Sequence, residues 1–424
     1  MNVLFVSNYF PPEVNAPAVR LHDHARLWVE EGGHIEVLTA VPNFPEGVVY
    51  KGYRNRLTRE EIDGIPVTRV PVYLAENRGR LKRALSYASF MLSAIRHHRR
   101  VRRRPDVVAA TSPQLLVGAA GYVISRLRRV PFVLEIRDLW PESIVAVGAM
   151  HPNLIIRTLE RLGDFLYHKA DRIVVVTDSF KRILAARGID AGKIVVLKNG
   201  VVPGDLNQPP DPEALADLRR RHDLEGKFVA AYVGTIGMAH RADILLEAAR
   251  LCRDPDIVFM VIGAGAARAE LEARASALQL PNFRLIEKQP REVIRHYLNL
   301  MDVSVIHLRD DPVFRAVLPS KLFEAMITGK PMVLGVLGEA KEVLEEADAG
   351  IAVPPEDAAA IVAAVTRLRD SRELYRRMSR SGRRYVVERH DRATIARRYW
   401  ALFEEVNAEA EGRVGQALTP AGRP

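Results

Sequence analysis

Ser320, Lys321 and Glu324 stand in the stretch LPSKLFEAMITGKPMVL, residues 318 to 334, at a spacing that puts them together on one side of a helix. Pro319 and Ser320 open that helix, and Gly329-Lys330-Pro331 closes it before the apolar run Met332 to Leu334. A short helix leading into a buried strand is therefore expected. A cation in the first helical turn is disfavoured by the helix dipole, so a plain surface helix has little use for Lys321. A helix that receives a phosphorylated ligand has a use for all three residues. Its free amides, with Ser320 and Lys321, form an anion site, and Glu324 can accept hydrogen bonds from a pair of hydroxyls such as those of a ribose. The plainer alternative is a capped surface helix with an internal charge pair.

Other loops that follow apolar runs carry similar signals. After Phe228 to Val233 comes GTIGMAHR, where Gly234 and Gly237 let the backbone approach a ligand. His240 and Arg241 at the next helix start can together hold a phosphate, or else the stretch is a tight strand-to-helix turn. After Val258 to Ile262 comes GAGAAR, which looks like the start of a dinucleotide fingerprint. Arg268 stands where its third glycine should be, so an oxidoreductase is disfavoured. Glu287, about twenty residues on, is kept as a donor-binding candidate. After Phe132 to Ile136, RDLWPES gathers Arg137, Asp138, Trp140 and Glu142, a set able to position a sugar-like hydroxyl, or else an ion pair with a core tryptophan. After the first strand, Pro11, Pro12 and Pro17 stiffen a loop that opens a helix near Ala18, with Asn15 just before it and Arg20 in its first turn.

These loops need strands behind them. Short β-branched runs alternate with helical patterns along all 424 residues, which suits two α/β domains of roughly 200 residues each with parallel sheets covered on both faces. The Gly- and Pro-rich stretch KNGVVPGDLNQPPDP, residues 198 to 212, reads as the join. Beyond residue 385 the pattern is one helix, over 386–410, and a disordered tail is expected over 411–424. Cys252 is the single cysteine, so no internal disulfide framework exists and a reducing cytoplasm is expected. The opening MNVLFVSN reads as a strand, not a leader, and no apolar run approaches the ~18 residues that span a bilayer. The net charge is +10, and residues 78–104 contain ten Lys or Arg and no acid around the apolar stripe ALSYASFMLSAI. Such a segment fits an anionic membrane surface. A helix packed on its own domain is the plainer reading. No recognisable nucleic-acid module accompanies the charge, and nucleic acid is not expected as a partner.

In order, VSNYFPPEVNAPAVRL, GGHIEVLTAVPNFP, RDLWPES, KNGV, YVGTIGMAHRADILLEAA, VIGAGAARAELEA, LPSKLFEAMITGKPMV and GEAKEVLEEADAGIAVPPED resemble the retaining glycosyltransferases of family four. The resemblance covers nearly the whole chain. It implies the GT-B architecture, two doubly wound Rossmann-like domains facing across a cleft: an acceptor domain at 1–200, a nucleotide-sugar domain at 201–385, and a last helix crossing back to the first. RDLWPES with LPSK is similar to the branch that builds O-antigen and exopolysaccharide by transferring amino sugars to polyprenyl-diphosphate-linked acceptors. It further implies a UDP-linked donor held by Gly234, Thr235, Gly237, His240, Arg241, Glu287, Ser320, Lys321 and Glu324, and catalytic roles for Arg137, Asp138, Glu142 and Lys321. Asn15 and Arg20 are expected at the acceptor, and no metal or other cofactor is expected. The family's Glu-x7-Glu motif departs here, since Ala316 stands in place of the first acid and Glu324 matches the second. The resemblance implies front-face attack assisted by the departing phosphate; the residues alone leave a carboxylate nucleophile open. They also leave open a nucleotide-sugar epimerase and a non-catalytic binding protein.

Overall fold

The fold comes from a computed structural model that describes residues 1–75, 80–112, 114–146, 153–202 and 211–418. Eight strands build the first sheet: β1 Asn2–Val6, β2 His34–Ala40, β3 Thr58–Ile62, β4 Ile65–Val70, β5 Val107–Thr111, β6 Phe132–Ile136, β7 Arg172–Val175 and β8 Ile194–Val196. Six build the second: β9 Phe228–Val233, β10 Ile257–Ile262, β11 Phe283–Ile286, β12 Val303–His307, β13 Met332–Gly335 and β14 Gly350–Ala352. The chain divides into two units. One holds the first sheet with the segment from Ala393 onward, and the other holds the second sheet between Asn199 and Arg392.

The first sheet has the order β3-β4-β2-β1-β5-β6-β7-β8. All neighbours are parallel except β3 with β4. That hairpin is absent from the sequence-based reading. It turns at Asp63-Gly64, both at positive φ, and its outer strand TREEI alternates exposed and half-buried, as an edge strand does. One face packs Val3, Phe5, Val37 and Ala109 against helix Ala16–Glu30 and the last helix, where Trp28 Nε1 donates to Ala396 O at 2.8 Å. Helices Arg80–His97, Leu115–Arg128 and Leu154–Lys169 lie side by side on the opposite face. Helix Leu115–Arg128 approaches the sheet closely because Gly121 lacks a Cβ, which would fall 2.6 Å from the Ala110 methyl of β5.

The second sheet is wholly parallel, in the order β11-β10-β9-β12-β13-β14. Ala230 of β9 pairs with Phe259 of β10 on one side and Val303 of β12 on the other. The chain leaves β9 toward β10 and β11 and returns to β12, so the strand order reverses between β9 and β12. Ligands favour such a switch point, at the carboxyl ends of the strands.

The C-terminal boundaries differ from the expectation. Val386 is buried and belongs to helix Arg372–Arg389, and His390-Asp391 then breaks the chain. The final helix spans Arg392–Leu418 and takes in the first part of the expected disordered tail. Its Ile395, Tyr399, Leu402 and Phe403 are buried in the first unit's core, and that burial is what orders it. Arg78 of the basic stretch, most of the expected join and the last six residues lie outside the described ones.

Candidate active site

In the second unit the site forms where β9 ends. Gly234 follows the strand with φ +139°, a conformation that favours glycine. Lys321 reaches it from helix Ser320–Ile327, which the chain enters after β12. A Cβ on Gly234 would fall 2.5 Å from Lys321 Nζ, so the lysine lies directly on the glycine. Nζ donates to Tyr232 Oη at 2.6 Å and sits 3.8 Å from that ring's centroid. Burial pushes the Lys321 ammonium down to about 7, and Glu324, one turn on, pulls in the opposite direction. Ser320 is exposed at the helix start, and no side chain caps the helix there. First-turn amides and Lys321 thus make one anion-binding corner beside Gly234, whose own amide donates to Ile262 O at 2.8 Å.

Other expected donor residues divide around this corner. Thr235 is exposed, and its carbonyl accepts the Tyr232 hydroxyl at 2.6 Å. Gly237 leaves room for His240, whose Nδ1 would lie 3.3 Å from an added Cβ. His240 was expected to help hold a phosphate. Burial, with Lys321 and His307 nearby, lowers it to about 3, so it is neutral and adds no positive charge. Arg241 was expected to do the same. Its Nε and Nη2 go to Asp243 at 3.0 and 3.3 Å, and Nη1 goes to Glu356, so its fork is already engaged by carboxylates. Glu287 is exposed just beyond the edge strand β11, two strands from β9 and so about 10 Å away across the sheet. It does not join the corner. Ala316 is buried at the end of a 3-10 turn.

The glycines of GAGAAR have a scaffolding task. An added Cβ at Gly263 or Gly265 would overlap Gly234 O or Ile236 O. The two loops join by backbone, Ile236 N to Ala264 O at 2.9 Å and Ala267 N to Ile236 O at 3.0 Å. Arg268 donates to the carbonyls of Gly263 and Ile286 at 2.8 and 3.0 Å, which explains an arginine at the fingerprint's third glycine position.

In the first unit, the residues after β6 form a polar cluster. Arg20 was expected at an acceptor. It is buried, and its Nε and Nη2 donate to Glu135 Oε1 at 3.2 and 3.0 Å. Arg20 therefore supports the cluster from behind. Thr111 donates to Glu135 Oε2 at 2.7 Å. Burial alone would raise the Glu135 carboxyl, but the Arg20 and Arg137 guanidiniums hold it below the usual range. Burial lowers Arg137 to about 10, so it stays cationic at neutral pH. Burial raises Asp138, which accepts from Ser143 Oγ at 2.9 Å. Glu142 pairs with Arg187 at 2.6 Å. Asn15 caps its helix by accepting from Ala18 N at 3.0 Å. Sequence reasoning passed over Tyr9 and Gln114, which join the loops after β1 and β5 at this sheet's own switch point, Gln114 Nε2 to Tyr9 Oη at 3.2 Å. No local motif marks that pair.

The Lys321 corner has a pH signature. An ammonium near 7 is charged below that pH and neutral above it. A bound diphosphate favours the charged form, so binding takes up a proton. Affinity for a nucleoside diphosphate should fall by about tenfold between pH 6 and 8.5. Titration calorimetry in buffers of different ionisation enthalpy measures both effects, and a pH-independent affinity would remove Lys321 from the contact.

Comparison with known proteins bears on the family and the fold. Residues 15–200 match the glycosyl transferase 4-like domain, and residues 214–385 match glycosyl transferases group 1. The chain is 24% identical over 378 residues to the putative colanic acid biosynthesis glycosyl transferase WcaI of Escherichia coli (strain K12), covering 86% of this chain and 91% of that one. It is 27% identical over 266 residues to the probable glycosyltransferase WbjE of Pseudomonas aeruginosa, covering 62% and 65%. Among solved structures, Anabaena Alr3699/HepE in complex with UDP and glucose superposes with a TM-score of 0.72 at 16% identity, over 95% of this chain and 99% of that one. With its 4-like first half and group 1 second half on a two-domain GT-B fold, the chain belongs to the family-four type of glycosyltransferases.

Proposed function

We propose that this glycosyltransferase moves an N-acetylated amino sugar from a UDP-linked donor to a polyprenyl-diphosphate-linked glycan during cell-surface polysaccharide synthesis. The observation that carries the reading is Lys321 laid over Gly234 at an uncapped helix start, on the switch point of the second sheet. A sugar–phosphate bond that breaks leaves negative charge on the diphosphate, and a fixed cation with aimed amides stabilises that charge. In this reading no metal takes part. Glu324, one turn in, holds the ribose. The product retains the donor's configuration, the departing phosphate taking the acceptor hydroxyl's proton at the front face. WcaI's name places that relative in colanic acid biosynthesis, and the Anabaena structure was solved with UDP and glucose; both favour a UDP-sugar and a polysaccharide product here.

The same reading places the enzyme on the cytoplasmic face of an anionic membrane. Among the described residues no helix is long and apolar enough to cross one. Helix Arg80–His97 exposes Leu81, Leu85 and Leu92 beside Lys82 and Arg96, and Arg99 and Arg100 follow it. On the same layer, helix Leu154–Lys169 exposes Leu154, Ile155 and Phe165. Apolar side chains ringed by cations suit a headgroup boundary. Arg102 is partly committed elsewhere, its Nη1 paired with Glu61 at 2.9 Å.

Thermal stabilisation by UDP, GDP, ADP, TDP and NAD tests the donor. A selective shift with UDP is expected; a shift with NAD alone would end the reading. Turnover of UDP-N-acetylglucosamine without an acceptor would point to an epimerase or hydrolase instead. For the membrane, co-sedimentation with phosphatidylglycerol vesicles should fall at least fivefold when Lys82, Arg96, Arg99 and Arg100 become Gln, roughly 1 kcal/mol per cation being at stake. Equal sedimentation would overturn that part.

A further inference from the structure

We infer that Tyr232 is the positioning residue for Lys321: its hydroxyl fixes where the ammonium stands and favours its charged form for the diphosphate. This rests on the donor reading above. Tyr232 lies on β9, fully buried, one residue from the strand's end. Its hydroxyl has a single proton, spent on Thr235 O at 2.6 Å. The oxygen therefore meets Lys321 Nζ at 2.6 Å as an acceptor only. A phenylalanine would keep the ring beneath the cation and lose that acceptor.

The surroundings make the acceptor matter. From the loop after β9, His240 faces the lysine, too depressed to be a cation or to act as a counter-ion. From Lys321's own helix, Glu324 is the one acid that favours the charged amine, and on the donor reading it is engaged with a ribose. From β9, Tyr232 is the remaining group, and it acts at hydrogen-bond distance. It also sets direction. With Nζ held between the phenol oxygen and Gly234, the lysine stem lies across the glycine and cannot swing freely. The same tyrosine ties down the Thr235 carbonyl, so strand end, glycine and lysine form one preorganised unit.

Tyr232→Phe in the full chain is the test. Lysines carrying 13C at Cε report the Lys321 titration by NMR, its signal assigned with Lys321→Met. Loss of the acceptor should lower the Lys321 midpoint by about half to one pH unit. UDP should then bind about three- to tenfold more weakly at pH 7.5 and nearly as well as in the parent at pH 6. An unchanged midpoint overturns the inference, as does a loss of UDP affinity equal at both pH values, which marks a packing effect only. Failure of the donor reading looks different: the parent itself would bind no UDP at either pH, and Tyr232 would have no role in transfer.

Discussion

Lys321→Met lowers kcat/KM for sugar transfer by about 10²–10³-fold, the usual loss when one preorganised stabiliser of a developing oxyanion is removed. It abolishes most of the UDP stabilisation, yet it does not weaken the fold. Methionine roughly conserves the lysine's apolar volume over Gly234 and Tyr232. The removed charge is one that the native state disfavours, since burial takes the ammonium from the ordinary 10.5 to about 7. The sign follows from proton uptake. Between those two values the unfolded chain holds the proton and the native chain does not, so the parent gains stability as pH rises from about 7 to 10.5. Below pH 7 both states are protonated and the parent carries the full burial penalty. The melting temperature of Lys321→Met should therefore exceed the parent's most at pH 6, and the advantage should shrink toward pH 10. Steady-state kinetics and melting curves at pH 6, 8 and 10 check both halves. Transfer near the parental rate would remove Lys321 from the reaction. A lower melting temperature at pH 6 would make it a structural residue.

Strands and loops differ in how much of them the chain announces locally. Near-continuous apolar runs such as Phe132–Ile136 and Phe228–Val233, short and β-branched, read as strands buried on both faces, and both are found with those boundaries. Strand β3 was invisible because TREEI has no apolar face, although Asp63-Gly64 beyond it is a hairpin turn signal. The Lys321 corner was legible for a related reason. A cation in a first helical turn and a glycine at a strand end are each local oddities. Charged side chains were the difficulty. Nothing near Arg20 announces Glu135, 115 positions away, and nothing near Arg241 announces Glu356, also 115 away. A sequence shows an arginine but not whether a distant carboxylate already occupies it. Histidine has the same ambiguity in protonation: His240 looks like a cation for a phosphate until burial and the Lys321 ammonium make it neutral. Tyr232 was missed for the opposite reason, since within an apolar strand it reads as core and only its hydroxyl reaches the site.

Gly263→Ala should cost the protein about 3 kcal/mol or more, a drop visible in the urea midpoint. Two effects add. Its φ of +154° is one that an alanine rarely adopts, and the new methyl would be driven into Gly234 O. That carbonyl belongs to the residue on which Lys321 rests, so the Lys321 corner is disturbed with the fold, and on the proposed donor reading UDP binding should fall in step with stability. Gly226→Ala is the control. Its φ is +71° and nothing lies within 4 Å of the added methyl, so only the backbone strain of about 1 kcal/mol remains. Equal stability of the two variants would mean that the loops after β9 and β10 do not need this close approach. The comparison also bears on what the glycines are for. In a dinucleotide fingerprint a glycine clears space for a pyrophosphate, and an added methyl would act first on NAD affinity. Here the space at Gly263 is filled by the backbone of Gly234 and that at Gly265 by Ile236, and Arg268 fastens the second loop to the ends of β10 and β11. A motif that resembles a cofactor site thus serves as the frame that holds the Lys321 corner one strand away.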